Sequence, residues 1–322
     1  MSDNLTNTSV WLIGAGYMAV EYAKVLNALG VDYLVIGNSH SSAEKFEAET
    51  GKPVVTGGLS AWLATNPNVP DAVINAVSVP ALFDTSMKLL DFGVTNILLE
   101  KPAATKLAQL KQMVERAQQH NASIYVAYNR RFYSSVQKAL ELIELDGGVR
   151  SFNFEFTEWS HRIEQQELPE EVAEQWLLCN SSHVIDMAFF MGGWPTQLNS
   201  FKEGKLDWHK SGAVFSGAGI STKGALFNYQ ADWAAPGRWR VEMLTSKHRF
   251  YFAPLEKLQV QDLGTIKVYD VDIDDSLDID YKPGLYRQTN AFLCGNNSHL
   301  LTLQEQATHV EHVYLNILKE SP

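Results

Sequence analysis

The first 130 residues alternate between short apolar runs and amphipathic stretches, and this rhythm limits the possible folds more than any other feature. The apolar runs, which we predict to be strands, lie at residues 9–13, 32–36, 53–56, 72–77, 96–99 and 124–127. The stretches with a helical period lie at residues 18–29, 42–50, 60–65, 81–92 and 106–120. Because the strands are apolar throughout, the pattern predicts an α/β domain whose parallel sheet is covered by helices on both faces.

Beyond a further helix predicted at 134–145, most segments are extended with a period of two. They lie at residues 151–158, 197–203, 213–222, 225–233, 239–245, 249–252, 258–263 and 266–273. Short turns between consecutive strands predict a mostly antiparallel sheet, with helices at 182–191 and 303–318. We therefore predict a first domain at 1–125 and an α+β domain at 126–322, whose final helix could pack back on the first domain.

Charge and composition exclude several classes of protein. The formal net charge of -11 repels phosphate backbones, so nucleic acid is not an expected partner. Residues 1–8 lack the basic start and apolar core of a signal peptide, and no run reaches the roughly 18 apolar residues of a membrane span. Two cysteines, Cys179 and Cys294, do not indicate a disulfide framework. A cytoplasmic protein without a membrane partner fits best.

A glycine-rich turn follows the first predicted strand and opens the first helix. Gly14 and Gly16 allow a tight turn and a close approach of backbone N–H groups to a pyrophosphate, and Ala19 lets the helix pack close to the strand. In this strand–turn–helix context the motif predicts a dinucleotide seat. The alternative is a glycine-containing turn that binds no ligand. The residues predicted to contact the cofactor here are Gly14, Ala15, Gly16, Tyr17 and Met18.

The end of the second strand bears on the choice of cofactor. NAD enzymes commonly carry an acid here for the ribose 2′-OH, whereas this chain has Asn38 and Ser39 and no acid before Glu44. Small polar groups could accept a 2′-phosphate, although no arginine is present. The missing acid slightly favours NADP over NAD. Ser78 and Pro80, after the fourth strand, are also predicted to lie beside the cofactor.

Lys101 follows the fifth strand, between Glu100 and Pro102. α/β sheets bind ligands at the carboxyl ends of their strands, so this amine is expected beside the cofactor. Desolvation and a positively charged nicotinamide ring would lower the pKa of the lysine and allow proton exchange near neutral pH. A surface lysine in a loop is the alternative. We predict that Glu100 contacts the cofactor and that Lys101 contacts both cofactor and substrate.

Four further motifs occur in a fixed order with the glycine turn. They are Glu100-Lys101-Pro102, Tyr128-Asn129-Arg130-Arg131-Phe132, His183-Val184-Ile185-Asp186 and Gly284-Leu285-Tyr286-Arg287-Gln288. With them the chain resembles the Gfo/Idh/MocA oxidoreductases, the glucose–fructose oxidoreductase and inositol dehydrogenase family, over nearly its whole length.

The resemblance implies a Rossmann domain joined to an open-faced antiparallel sheet, through which members assemble into homodimers or homotetramers. It implies NAD(P)-dependent hydride transfer at a carbinol or ketone carbon of a sugar, nucleotide sugar or cyclitol. Lys101 and His183 match the family's catalytic lysine and histidine, and the Lys101–Pro102 bond is a candidate for the cis form. Asp186 is expected to be structural.

One position departs from the family pattern. Many members carry an acid four residues before the histidine, where this chain has Cys179. A thiol cannot orient or charge-balance an imidazole as a carboxylate does. The acid–base groups are then Lys101 with His183, or Lys101 alone. A dinucleotide-binding sensor or partner protein without turnover stays an alternative, as does a lyase or glycosidase that uses the nicotinamide transiently.

Polar and aromatic residues near these motifs complete the predicted substrate site. Aromatic faces suit the C–H surfaces of sugars, and arginines suit charged substituents. Besides Lys101 and His183, the predicted substrate-binding residues are Asn129, Arg130, Trp159, Arg162, Trp176 and Asn180. No metal is expected: the acids from Asp270 to Asp280 fail the spacing of a calcium loop. His309 and His312 are predicted to lie on a solvated helix face.

Overall fold

The structure is a computed structural model that describes residues 8–319. Its strands, β1 to β15 in chain order, are Val10–Ile13, Tyr33–Ile36, Val54–Val55, Ala72–Asn75, Asn96–Leu99, Ser123–Val126, Ser151–Glu155, Pro195–Glu203, Val214–Ser221, Leu226–Asp232, Arg240–Leu244, His248–Phe252, Gln259–Asp262, Val268–Asp270 and Leu301–Thr302. Its α-helices, α1 to α13, are Tyr17–Ala28, His40–Thr50, Gly58–Ala64, Leu82–Asp91, Leu107–Gln119, Ser134–Leu145, Ser160–Ile163, Glu170–Glu174, Ser182–Gly192, Ser276–Asp280, Leu285–Leu293, Leu303–His309 and Leu315–Ile317. Leu177–Ser181 and Val310–Tyr314 are π-helical.

The chain forms two compact units. The first comprises residues 8–129 together with 277–308, and the second comprises 130–276 together with 309–319. The first unit is thus discontinuous in sequence, because a segment after residue 276 returns to it. The predicted boundary at 125/126 with a second domain of 126–322 stays a prediction, and residues 1–7 and 320–322 of these predicted domains lie outside the described residues.

A seven-stranded sheet forms the centre of the first unit, in the order β15-β6-β5-β4-β1-β2-β3. Strands β1 to β6 are parallel, which confirms the fold class predicted for this part of the chain. Strand β15 pairs antiparallel with β6 and was not predicted, since Leu301–Thr302 is only two residues long. The apolar runs became buried strands because helices cover them, as their lack of alternation indicates.

The second unit is built on an eight-stranded sheet in the order β14-β13-β12-β11-β7-β10-β9-β8. All its pairs are antiparallel except β7 with β10, so the prediction of a mostly antiparallel sheet is confirmed. Phe152 and Phe154 of β7 are buried and meet the ring of Phe189 on α9 edge to face. Gly192 ends α9, and a Cβ there would lie 2.4 Å from the Phe152 ring, so this glycine permits close packing.

Two predicted extended segments of the second unit differ most from the observed strands. Strand β7 ends at Glu155 rather than at residue 158. The last predicted strand, 266–273, contracts to the exposed strand Val268–Asp270. Helix α10 begins soon after this strand. The Asp274 carboxylate accepts hydrogen bonds from the backbone N–H (3.2 Å) and the hydroxyl (2.7 Å) of Ser276, the first residue of α10.

Among residues 8–319, none of the helices has the length and apolar character that crossing a bilayer requires.

The prediction that His309 and His312 both lie on a solvated helix face is wrong for His309. His312 is exposed as expected, whereas His309 is buried and stacks on the ring of Trp194. Burial, with a smaller contribution from the positive charge of Arg131, lowers the pKa of His309 to about 2. This histidine is therefore neutral in the folded protein at any ordinary pH.

The neutral His309 should make the protein less stable in mild acid. Its pKa is lower in the folded than in the unfolded state, so below the ordinary histidine pKa of about 6.5 the unfolded chain alone takes up a proton. We expect His309 to lower the free energy of unfolding by about 1.4 kcal/mol between pH 7.5 and pH 5.5. Urea denaturation of the wild type and His309→Phe over this range measures the effect. His312→Gln is the control, and equal slopes for wild type and His309→Phe would contradict the prediction.

Candidate active site

The glycine turn after β1 is held against the ends of the neighbouring strands. The backbone N–H of Gly14 donates to the Ile36 carbonyl at the end of β2 (2.8 Å). Gly14 has φ +111°, and a Cβ there would lie 2.8 Å from the Ala76 carbonyl oxygen, just beyond β4. At Gly16, by contrast, a Cβ would meet nothing within 4 Å. The turn is therefore tight at its first glycine and open at its second.

A cavity of about 520 Å³ opens above this turn, which we call the glycine-turn cavity. Strand β1 lies between β2 and β4, so the cavity sits where the strand order reverses, the usual ligand position in such sheets. Of the predicted cofactor residues, those lining it are Gly14, Ala15, Gly16, Asn38 and Ser78. Helix α1 begins at Tyr17 without a side-chain cap, so the backbone N–H groups of its first turn face this end of the sheet.

The other predicted cofactor residues do not line the cavity. Ser39 caps helix α2, because its hydroxyl oxygen accepts from the Ser42 N–H (3.2 Å), and Ser42 itself lines the cavity. Pro80 lies in the turn Val79–Ala81 next to the cavity. Met18 is half-buried in α1, while Tyr17 is largely exposed.

Gly14 should be far more sensitive to substitution than another glycine with positive φ. We expect Gly14→Ala to lower the free energy of unfolding by about 2–3 kcal/mol, because strained backbone adds to the clash with the Ala76 carbonyl. Gly30→Ala is the matched control: Gly30 has φ +68° and open space around its Cβ position, and should cost about 1 kcal/mol. Urea denaturation measures both, and equal losses would contradict the steric argument.

Lys101 lies in a tight turn directly after β5. The Ala103 N–H donates to the Glu100 carbonyl (3.0 Å), and the Lys101–Pro102 bond is cis. The Pro102 carbonyl accepts from the Gln306 amide (3.2 Å). The turn that carries the amine is thus fixed from both sides, at the same edge of the sheet as the glycine turn.

Glu100 is held by a tyrosine from helix α1. The Tyr22 hydroxyl donates to the Glu100 carboxylate at 2.8 Å. Burial raises the pKa of Glu100, while Tyr22, Lys101 and Lys282 act in the opposite direction. Burial and the Glu100 charge together raise the pKa of Tyr22 well above 10.0. Glu100 is therefore a desolvated carboxyl with two lysines near it, and its contact with Tyr22 was not predicted from the sequence.

Residues 277–308, the second part of the first unit, support the end of β6 through hydrogen bonds. The Asn129 side-chain amide donates to the Pro283 carbonyl (2.8 Å). The Gln288 side-chain oxygen, in the amide orientation that satisfies both its ends, accepts from the backbone N–H of Tyr128 and Asn129, each at 3.1 Å. The Gln306 amide reaches the Tyr128 hydroxyl at 3.1 Å. The sequence analysis singled out the motifs that begin at Tyr128 and at Gly284, but it did not reveal that they contact each other.

In the second unit, a buried carboxylate stands close to the segment before His183. His183 is the second residue of α9, is buried, and follows the π-helical turn Leu177–Ser181. Glu158 accepts hydrogen bonds from Asn180 (2.9 Å) and from the Ser181 hydroxyl (2.7 Å). An acid thus comes to this segment from the chain beyond β7, whereas Cys179 occupies the expected position. Burial raises the pKa of Glu158, and Ser181 and Arg238 counteract part of that shift.

Arginines stacked on tryptophans surround Glu158. The Arg238 guanidinium pairs with Glu158 (3.2 Å) and lies over the rings of Trp159 (4.7 Å) and Trp239 (4.5 Å). The Arg130 guanidinium lies 5.0 Å from the Trp239 ring centre, on which the His183 ring also packs at 6.2 Å. Burial lowers the pKa of Arg130.

Of these side chains, Arg130, Arg238 and Trp239 line a second cavity, of about 640 Å³. Its polar lining residues are Arg130, Glu155, Gln230, Arg238, Arg240 and Glu256, with Trp239 as the aromatic surface. An aromatic face flanked by paired charged groups can bind both the C–H surfaces and the hydroxyl groups of a polyhydroxylated molecule. Glu158 was not among the predicted site residues, because nothing in its sequence neighbourhood marks it.

The remaining predicted substrate residues fall into two groups. Arg162 lies over the Trp159 ring at 4.6 Å, and the Trp159 indole N–H donates to the Gly237 carbonyl (3.0 Å), so the structure brings these two beside Arg238. Trp176 instead is buried and meets the Trp208 ring edge to face at 5.8 Å. It is part of an aromatic cluster and does not line the 640 Å³ cavity.

Asp186 is the partner of Arg131. Two hydrogen bonds join them, from Arg131 Nε to Asp186 Oδ2 (2.8 Å) and from Nη2 to Oδ1 (2.7 Å). Both side chains are almost fully buried. Such a paired, buried ion pair fixes α9 and agrees with the structural role expected for Asp186. As to metals, no group of three or more potential His, Cys, Asp or Glu ligands comes together in the part of the chain that the structure describes.

Known proteins resemble this chain both in sequence and in structure. Residues 8–128 match the Gfo/Idh/MocA family model, described as an oxidoreductase family with an NAD-binding Rossmann fold. A myo-inositol dehydrogenase, Hyg17 of Streptomyces leeuwenhoekii, is 27% identical over 125 residues, which are 38% of this chain and 37% of that protein. The matched stretch therefore spans little more than a third of the relative.

Solved structures extend the likeness in fold to the whole chain. An oxidoreductase from Agrobacterium radiobacter in complex with NAD+, L-tartaric acid and magnesium has a TM-score of 0.77 at 16% identity, covering 97% of this chain and 96% of its own. Levoglucosan dehydrogenase in complex with NADH and levoglucosan has a TM-score of 0.75 at 17% identity, covering 98% of each chain. At these identities the likeness shows a common fold.

Proposed function

We propose that the chain, whose residues 8–128 match the Gfo/Idh/MocA oxidoreductase family model, is an NAD(P)-dependent dehydrogenase or reductase acting on the CH–OH group of a sugar, nucleotide sugar or cyclitol. One observation carries the proposal. The glycine turn after β1 and Lys101 after β5 both lie at the carboxyl edge of one parallel sheet, where such sheets bind ligands.

The glycine-turn cavity fits a dinucleotide. Gly14 brings the turn close to the strand ends, and the open space at Gly16 leaves room for a pyrophosphate at the N-terminus of α1. Asn38 and Ser42 line the cavity beyond β2 and would face the adenosine ribose. The bound nicotinamide would accept or donate the hydride, and the side chains described here would position the substrate and move its proton.

Lys101 and His183 are the proposed acid–base groups. The Lys101 ammonium holds the substrate oxygen and exchanges a proton with it, and its fixed turn limits the conformations that the side chain must lose. His183 binds or shuttles the hydroxyl proton. Glu158 supplies negative charge near the start of α9 through Asn180 and Ser181, the role that the family pattern places at the position of Cys179.

The substrate class rests on the relatives and on the second unit. The relatives include a myo-inositol dehydrogenase and a structure that holds levoglucosan, both of which point to small polyhydroxylated molecules. The 640 Å³ cavity beside Trp239 supports the same class, since its lining combines an aromatic face with charged groups. Asn129, Arg130, Trp159, Arg162, Trp176 and Asn180 stay the proposed substrate contacts.

Three further properties are part of this proposal. NADP is slightly preferred over NAD, because neither Asn38 nor Ser42 can pair with a ribose hydroxyl as an acid would. The protein is cytoplasmic. It assembles as a homodimer or homotetramer through the open face of the sheet in the second unit, where Leu226 and Val214 are exposed.

Cofactor titration followed by a substrate screen tests the function. The quenching of protein fluorescence by NADH and NADPH gives both affinities, and absorbance at the nicotinamide band then reports turnover with inositols, anhydrosugars, aldoses and nucleotide sugars. Binding of a dinucleotide with turnover of a member of this panel supports the proposal. Failure to bind either dinucleotide would refute it. Tight binding without turnover or product would support the sensor, and product without net cofactor change would support a lyase or glycosidase.

A further inference from the structure

The segment that returns to the first unit brings a second lysine to the glycine turn. The Lys282 ammonium lies 5.2 Å from the centre of the Tyr17 ring. Tyr17 is the first residue of α1, directly after Gly16, and 67% of its surface is exposed. A cation over an exposed aromatic ring is a weak contact, too weak to explain a fixed position by itself.

The loop around Lys282 is nevertheless braced on its C-terminal side. The Pro283 carbonyl accepts from the Asn129 amide (2.8 Å). The Asp278 carboxylate accepts from the Gly284 N–H (2.9 Å) and pairs with Arg287 (3.1 Å). These contacts fix the backbone next to Lys282, so the lysine is delivered to the same place without relying on its own side-chain contact.

Lys282 also adds a positive charge near Glu100, although the chain as a whole is acidic. It is one of two lysines, with Lys101, that lower the pKa of Glu100 against the effect of burial. Lys101 and Lys282 thus place two ammonium groups near the single carboxyl group of Glu100, in a chain of formal net charge -11. Such a local field favours an anionic ligand over neutral ones.

We propose that Lys282 binds the pyrophosphate of the dinucleotide, with the Tyr17 ring supporting its ammonium. The proposal rests on the dinucleotide site of the proposed function and adds a contact from outside the Rossmann sequence motif. The position of Tyr17 selects the pyrophosphate, because the N-terminus of α1 is where phosphates bind in this fold. A lysine is a point-charge phosphate ligand, which matches a single ammonium beside that turn.

Affinities of Lys282→Ala for three ligands test the contact. NADH and ADP-ribose contain the pyrophosphate, whereas adenosine, measured by competition with NADH, contains no phosphate. We expect the dissociation constants of NADH and ADP-ribose to rise about 10-fold, the scale of one charge-assisted hydrogen bond, and that of adenosine to stay unchanged. Because salt screens charge pairs, the difference from wild type should shrink between 0.05 M and 0.5 M NaCl. Lys282→Arg should restore most of the affinity.

Lys52→Ala is the matched control. Lys52 also lies over an aromatic ring of the first unit, at 4.7 Å from Tyr33, but Tyr33 begins β2 and so stands at the opposite edge of the sheet. The affinities of Lys52→Ala for NADH, ADP-ribose and adenosine should equal those of the wild type. Unchanged ADP-ribose affinity in Lys282→Ala would overturn the inference, and so would an equal loss for adenosine. If the wild type binds no dinucleotide, the proposed function itself fails, which separates the two failures.

Discussion

Replacing Lys101 with alanine should lower kcat at least about 100-fold, the usual scale of general acid–base catalysis, while the dissociation constant for NADH or NADPH changes little. The reason is the place of the side chain. The turn that carries Lys101 is fixed by the hydrogen bond from the Ala103 N–H to the Glu100 carbonyl and by Gln306, whereas the proposed seat for the pyrophosphate is the separate turn after β1. Steady-state kinetics with the best substrate of the screen, beside fluorescence titration of the cofactor, measures both quantities.

The controls for this variant separate chemistry from folding. Lys106→Ala removes an exposed lysine only five residues along the chain and should leave kcat unchanged. Lys101→Arg keeps the charge but, with a pKa above 12, cannot exchange a proton near neutral pH. It should therefore remain impaired and lose the basic limb of the kcat profile with pH. Unchanged turnover in Lys101→Ala would remove the lysine from the mechanism.

The largest loss of stability should come from Asp186. Its carboxylate makes two hydrogen bonds to the Arg131 guanidinium, and both groups are buried. Replacing Asp186 with asparagine removes the negative charge that faces the buried guanidinium, and breaking such a buried pair typically costs about 3–5 kcal/mol. Urea denaturation of the variant against the wild type measures the free energy of unfolding.

A double variant tests whether the charge or the packing is responsible. Arg131→Met with Asp186→Leu removes both charges and keeps apolar volume in the same space, and should recover most of the stability that Asp186→Asn loses. Lys138→Ala is the control for an exposed pair, since the Lys138–Glu141 contact of 2.9 Å lies on the surface and should contribute under about 1 kcal/mol. A loss of less than that for Asp186→Asn would contradict the argument.

The sequence allowed the first unit's sheet to be predicted because its information is local. A buried parallel strand is a continuous apolar run, and the glycine turn lies within a few residues of the strand that it follows. Strand β15 escaped prediction for the opposite reason. Leu301–Thr302 has no pattern of its own, and its pairing with Tyr125–Val126 is made only once the chain has returned to the sheet.

The site in the second unit shows the same limit. The acid near His183 was sought four residues away, where Cys179 stands, but it comes from Glu158 through Asn180 and Ser181. A carboxylate's burial and partners are tertiary properties, and nothing in the run around Glu158 distinguishes it from the surface glutamates nearby. Trp176 shows a related limit, because a tryptophan beside a motif is equally suited to the aromatic cluster where the structure places it, and its contact with substrate stays a prediction.

Because the first unit is discontinuous in sequence, the order in which the ribosome makes the chain affects when this unit can fold. Residues 277–308 supply β15 and the amides of Gln288 and Gln306 that brace Tyr128 and Pro102. The ribosome therefore completes the second unit's entire sheet before the first unit's edge can close. A nascent chain halted near residue 276 would carry an incomplete first unit with an open strand β6, exposed to chaperones and to other chains.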